Sequence, residues 1–175
     1  MTRKRLGRQW TSIGALVALA AVGAACGGGD ATTTVSAADY SFKGLPKEVD
    51  AGTTLALTNS STKELHEMVV MRLADDEKRP VAQLVNLSEA EAEKVFAGEP
   101  AMVLVAPPNG GEMIKAVGDG KLTEKGRYAV ICSIPIGADP AAFLAAMQSS
   151  QGGPPNVPGG PPHLTQGMFG EITVK

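Results

Sequence analysis

Two stretches decide how this chain reads: Tyr128-Ala129-Val130-Ile131-Cys132 and His163-Leu164-Thr165-Gln166-Gly167-Met168-Phe169-Gly170-Glu171-Ile172-Thr173-Val174. The first is an apolar run of strand-forming residues that ends on a cysteine. The second places a histidine five residues before a methionine, with a glycine directly in front of the methionine. It then runs into residues 170–174, which read as a last strand.

Outward from these stretches, metal-binding chemistry is scarce. The 175 residues include only two histidines, His66 and His163, and two cysteines, Cys26 and Cys132. Cys26 ends an N-terminal apolar run and has another use. The remaining residues, His66, Cys132, His163 and Met168, offer two imidazoles, one thiolate and one thioether. Trigonal His2Cys sites with a long axial Met use this set for copper. Zinc prefers more thiolate or imidazole ligands than the chain owns. A Cys–His nucleophile pair lacks a third orienting residue in any recognisable motif. Cys132 as a buried, inert thiol is the plain alternative, and Met168 by itself would read as a core methionine.

The N-terminus carries Arg3, Lys4, Arg5 and Arg8, an apolar stretch over 13–22, and Gly23-Ala24-Ala25 before Cys26. This is a secretory signal pattern over 1–25, and the apolar stretch is short for a membrane span. A cysteine after small residues, followed by Gly27-Gly28-Gly29, resembles a bacterial lipoprotein signal. That resemblance implies lipidation of Cys26 and an extracytoplasmic, membrane-anchored protein. An ordinary cleaved signal leaving a free Cys26 is the other reading. Cleavage would leave 12 of the 16 basic residues against all 18 acidic ones, a net charge of −6. That excludes the basic stripe of a nucleic-acid binder and a polybasic membrane-surface segment. In an oxidising compartment cysteines normally pair. If Cys26 is lipidated, Cys132 has no partner and requires a role of its own.

Residues 26–34 read as a flexible tether. Residues 35–42 read as a strand, 43–46 as a turn, and Thr53–Asn59 as a half-buried strand in which Leu55 and Leu57 alternate with Thr54, Ala56 and Thr58. Residues 66–73 are apolar on both faces, so material outside a simple sandwich should cover them. Residues 74–111 break the strand rhythm. Ser88-Glu89-Ala90-Glu91 opens a short helix that Gly98 closes. Residues 107–111 form a loop, and 113–117 and 127–133 are strands. Asp139-Pro140 opens a second helix over 140–148. Residues 150–162 are a Gly/Pro-rich loop. The spacing predicts an all-β, Greek-key β-sandwich over 35–175, with short helical insertions at about 74–111 and 133–162.

The order Tyr-x-x-x-Cys, Pro135, His163, then Gly167-Met168-x-Gly170 resembles the ligand loop of the cupredoxin family, small blue-copper proteins of the plastocyanin and azurin type. Upstream, Asp39-Tyr40-Ser41-Phe42, Pro46, Ala51-Gly52-Thr53 and Asn59-Ser60-Ser61 precede His66-Glu67 much as in bacterial cupredoxin-like secreted proteins. The resemblance implies one copper ion with His66, Cys132 and His163 equatorial and Met168 axial. It also implies that groups near Asn59 and Ser133 orient the ligands. The implied function is a monomeric, non-enzymatic one-electron carrier between redox partner proteins. Copper capture or delivery to a copper-handling partner, and a metal-free binding module, are the alternatives. One departure stands out: 30 residues, 133–162, separate Cys132 from His163, where the family loop has only a few. This insertion is expected to form a lid or docking surface beside the metal.

Overall fold

The alternation read in Thr53–Asn59 is the framework of the molecule. In the computed structural model, which describes residues 31–96, 98–150 and 155–175, Leu55 and Leu57 point into the core while Thr58 is exposed. Residues 1–30, including the signal pattern and Cys26, lie outside the described residues.

Among the described residues, ten strands form two sheets. They are β1 (Thr32–Ala38), β2 (Ser41–Lys43), β3 (Glu48–Val49), β4 (Thr53–Asn59), β5 (His66–Arg72), β6 (Met102–Ala106), β7 (Ile114–Val117), β8 (Lys121–Leu122), β9 (Gly126–Ile131) and β10 (Phe169–Val174). One sheet has the order β2-β1-β4-β8, the other β3-β10-β9-β5-β6-β7. The pairs β1·β4 and β3·β10 are parallel and the remaining pairs antiparallel. The expected all-β sandwich is the architecture found. Its interior holds Val35, Leu55, Leu57, Met68, Val70, Leu104, Val130 and Ile172, all at most 2% exposed. Such burial is the main force holding the sheets together.

The structure departs from the sequence reading at several elements, among them β3, β8 and the short helix α1 (Val81–Leu84), which the sequence did not announce. The single strand expected over 35–42 is a hairpin, because Tyr40 takes a positive φ of 57° and turns β1 back onto β2, with Ala38 opposite Ser41. β1 also begins at Thr32, inside the stretch read as tether, because residues 32–34 pair with 54–56. Residues 102–106, within the stretch read as an insertion, form β6 and pair with β5 from His66↔Ala106 to Val70↔Met102.

The helices are α1 (Val81–Leu84), α2 (Glu89–Val95) and α3 (Pro140–Ser149). The α2 N-terminus has the expected capping box, in which the Ser88 N–H donates to Glu91 Oε2 at 3.3 Å. Asp139 caps α3 by accepting from the Ala142 N–H at 2.7 Å. Val81 and Leu84 of α1 pack with Leu73 and Ala129, flanked by Val95 and Phe96, on the outer face of the larger sheet. This second apolar cluster is the cover that the two-faced pattern of β5 demanded. Among the described residues, no helix is long and apolar enough to cross a membrane.

Candidate metal centre

Three of the four sequence-selected residues meet at one end of the sandwich. His66 opens β5, Cys132 directly follows β9, and His163 opens a 3-10 turn (His163–Gln166). His66 Nδ1 lies 3.2 Å from His163 Nδ1, and Cys132 Sγ lies 3.3 Å from His163 Nδ1. The donor atoms of the three residues all fall within 4.8 Å of one another. All three side chains are 0% exposed. Met168 is also fully buried, and its backbone is tied to the cluster. Its carbonyl accepts from the Cys132 N–H at 3.1 Å, and its own N–H donates to the His163 carbonyl at 3.3 Å. Gly167, at a φ of 99°, ends the 3-10 turn in the left-handed conformation and so directs the chain into Met168 and β10.

The insertion 133–162 closes at its neck. Leu164 N–H donates to the Cys132 carbonyl and His163 N–H to the Ile134 carbonyl, both at 2.9 Å. Pro135 and Pro162 form a β-bridge, and Ile136 N–H reaches the Pro161 carbonyl at 3.1 Å. Two strand ends are thereby zipped together, and α3 projects beyond them. Gly159 is required here, since a Cβ would overlap the Pro135 side chain.

The loop before His66 is pinned by Asn59, which is 5% exposed. Its Nδ2 donates to the carbonyls of Glu64 and Ala106, each at 2.9 Å, and its Oδ1 accepts from the Ser61 N–H at 2.8 Å. Ser133 turns away from the ligand cluster. Its N–H and Oγ–H donate to Glu67 Oε1 at 3.1 and 2.5 Å on the opposite face of the sheet. The Glu67 N–H points at Cys132 Sγ from 3.5 Å.

Two neighbours of His163 were not singled out from the sequence. Glu64 Oε2 lies 3.3 Å from His163 Nε2, outside hydrogen-bond alignment, and accepts from the Gly137 N–H at 3.2 Å. The Tyr40 ring stands edge-on to the imidazole, with centroids 5.0 Å apart. Glu64 sits two residues before His66 and carries no local signal; only the fold brings it to His163.

The cluster is electrostatically incomplete by itself. Burial pushes the His66 imidazole down to about 4, and the neighbouring His163 adds to this. Burial also lowers His163. It pushes the Cys132 thiol up to about 12, with the Glu67 carboxylate adding to the effect. Two neutral imidazoles and a thiol thus face each other, and Nε2 of both His66 and His163 has no hydrogen bond among the described residues. A cation among these donors inverts that balance, because it stabilises the thiolate and uses the imidazole lone pairs. The soft sulfur and two nitrogens suit copper.

No protein-family model matches the sequence, and no curated protein matches it either. Solved structures do resemble it. A dithionite-reduced auracyanin from Roseiflexus castenholzii shares 20% identity at a TM-score of 0.44, over 85% of this chain and 99% of that one. Auracyanin A from Chloroflexus aurantiacus, described as a "blue" copper protein, shares 18% at 0.38, over 82% and 99%. Reduced rusticyanin shares 16% at 0.39, over 84% and 81%.

Proposed function

We propose that this chain is a cupredoxin. In this reading His66, Cys132, His163 and Met168 would hold one copper ion, and the protein would carry single electrons between redox partners. The observation that carries the proposal is the convergence of two imidazole nitrogens and one thiol sulfur from three separate segments, despite the 30 residues between Cys132 and His163. Copper, when bound, supplies a one-electron couple.

The chain's own residues set the conditions for that couple. Complete burial of the three side chains keeps water from the donors. The Glu67 N–H, aimed at Cys132 Sγ, stabilises a thiolate there. Asn59 fixes the approach to His66, and the zipped neck fixes Cys132 against His163. A ligand frame held this firmly changes little between two oxidation states. No substrate bond is made or broken in this role. The signal pattern and Cys26 support a lipid-anchored protein on the outer face of a bacterial membrane.

The test is spectroscopic. Adding Cu(II) to the purified protein should produce an intense visible absorption that Cys132→Ser removes. Tight Cu(I) binding without that band would instead indicate copper capture or delivery. Failure to bind either ion would refute both readings.

A further inference from the structure

The cover over the outer sheet face is incomplete, and the gap is a cavity of about 440 Å³. Its floor includes Val69, Val103 and Ile131, and Phe96, Phe143 and Met147 wall it from the two helical insertions. Its size falls within the range of small-molecule sites. Glu67 lies at one end, 4% exposed, with Ser133 beside it. Both Ser133 donors go to Glu67 Oε1. Among the described residues, nothing donates to Oε2, and no Lys, Arg or His lines the cavity. Oε2 is not sealed from solvent, so water serves it when no ligand is bound, and it is the point at which a cationic ligand group would exchange that water for a charge-assisted hydrogen bond.

We propose that this cavity binds an organic amine with an apolar body of aryl-alkyl size, its nitrogen on Glu67 Oε2. The apolar walls take the body. An amine matches the carboxyl group whichever of the two holds the shared proton, whereas an organic acid leaves two like groups facing each other. The site lies on the opposite side of the sheet from the ligand cluster and does not depend on the metal reading.

Calorimetric titration of the purified protein tests this with three probes of one shape: 2-phenylethylamine, 2-phenylethanol and phenylacetate. The amine should bind at least tenfold tighter than the alcohol, and phenylacetate should give no heat. Glu67→Gln should weaken the amine at least tenfold. Ala116→Trp, at an exposed lining position on the edge strand β7, should block the cavity and abolish binding in a protein with unchanged circular dichroism. Equal affinity for all three probes would overturn the proposal, and so would amine binding undiminished by Ala116→Trp. The second variant keeps the test decisive if Glu67→Gln does not fold.

Discussion

The His163 N–H donates to the carbonyl of Ile134 at 2.9 Å, so the start of the insertion and the residue that follows its end are hydrogen-bonded neighbours although nearly thirty positions separate them. The insertion is therefore a loop with a closed stem. Its length does not enter the geometry of the ligand cluster, because the stem fixes Cys132 and His163 before the chain departs into α3.

The stem is sensitive at Gly159. Gly159→Ala places a methyl group against Pro135 and within 3.1 Å of the Ile136 carbonyl. Overpacking of this kind costs about 1–3 kcal/mol. Thermal unfolding of the metal-free protein should register that loss, and copper titration should show weakened affinity as the stem opens.

Asn59 uses every polar atom of its side chain. Asn59→Ala strands the buried carbonyl of Ala106 and releases that of Glu64. The expected loss of stability is about 1–3 kcal/mol. Urea denaturation measures it. Hydrogen exchange should show faster opening over residues 60–66 than over β9.

Glu64 places negative charge beside His163 Nε2 at 3.3 Å. A nearby carboxylate stabilises the more positive oxidation state of a bound ion. Glu64→Gln should therefore raise the reduction potential of the copper-loaded protein, while Glu64→Asp should fall between the two. Voltammetry at neutral pH reads this directly, and an unchanged potential would remove Glu64 from the tuning of the site.

Acidity should act in two windows. In the metal-free protein His66 is held at about 4, below its ordinary 6.5, and His163 is also lowered. Above 6.5 both states of the protein leave these rings neutral, so no stability is at stake. Between about 6.5 and 4 the unfolded chain takes up protons that the folded chain refuses, and stability falls as pH drops. Further down, Glu171 matters. Its carboxylate, held below the usual range chiefly by hydrogen bonds from Arg127 at 2.8 and 2.9 Å, contributes stability that is lost as pH falls through its folded value. Urea midpoints from pH 8 to 3 should show both declines, and Glu171→Gln should flatten only the lower one. Copper loading should suppress the upper decline until protons displace the metal.

The sequence made the sheet faces legible wherever periodicity was clean. Leu55 and Leu57 announced a half-buried strand, and the two apolar faces of residues 66–73 announced a cover that α1 and α2 supply. Helix starts at Ser88 and Asp139 were legible because capping chemistry is local. β6 was not, since Met102-Val103-Leu104-Val105-Ala106 is a short apolar run without alternation, and such a run fits a strand or a buried helix equally. The turn at Tyr40 was hidden because a positive φ at a bulky residue is dictated by the hairpin around it. His66, Cys132 and His163 were legible by scarcity and order. Glu64 and Tyr40 were not, because their contacts with His163 exist only after folding.

The larger sheet has apolar packing on both sides, with the main interior on one and the cluster of Leu73, Val81, Leu84 and Ala129 on the other. β5, which begins at His66, and β9, which runs directly into Cys132, therefore behave as a clamped plate and not as a free membrane of strands. Loosening the helices behind the plate should let its ligand-bearing end vibrate more widely. The width of the metal's spectral band, and not only the melting temperature, would then respond to changes made far from the donors.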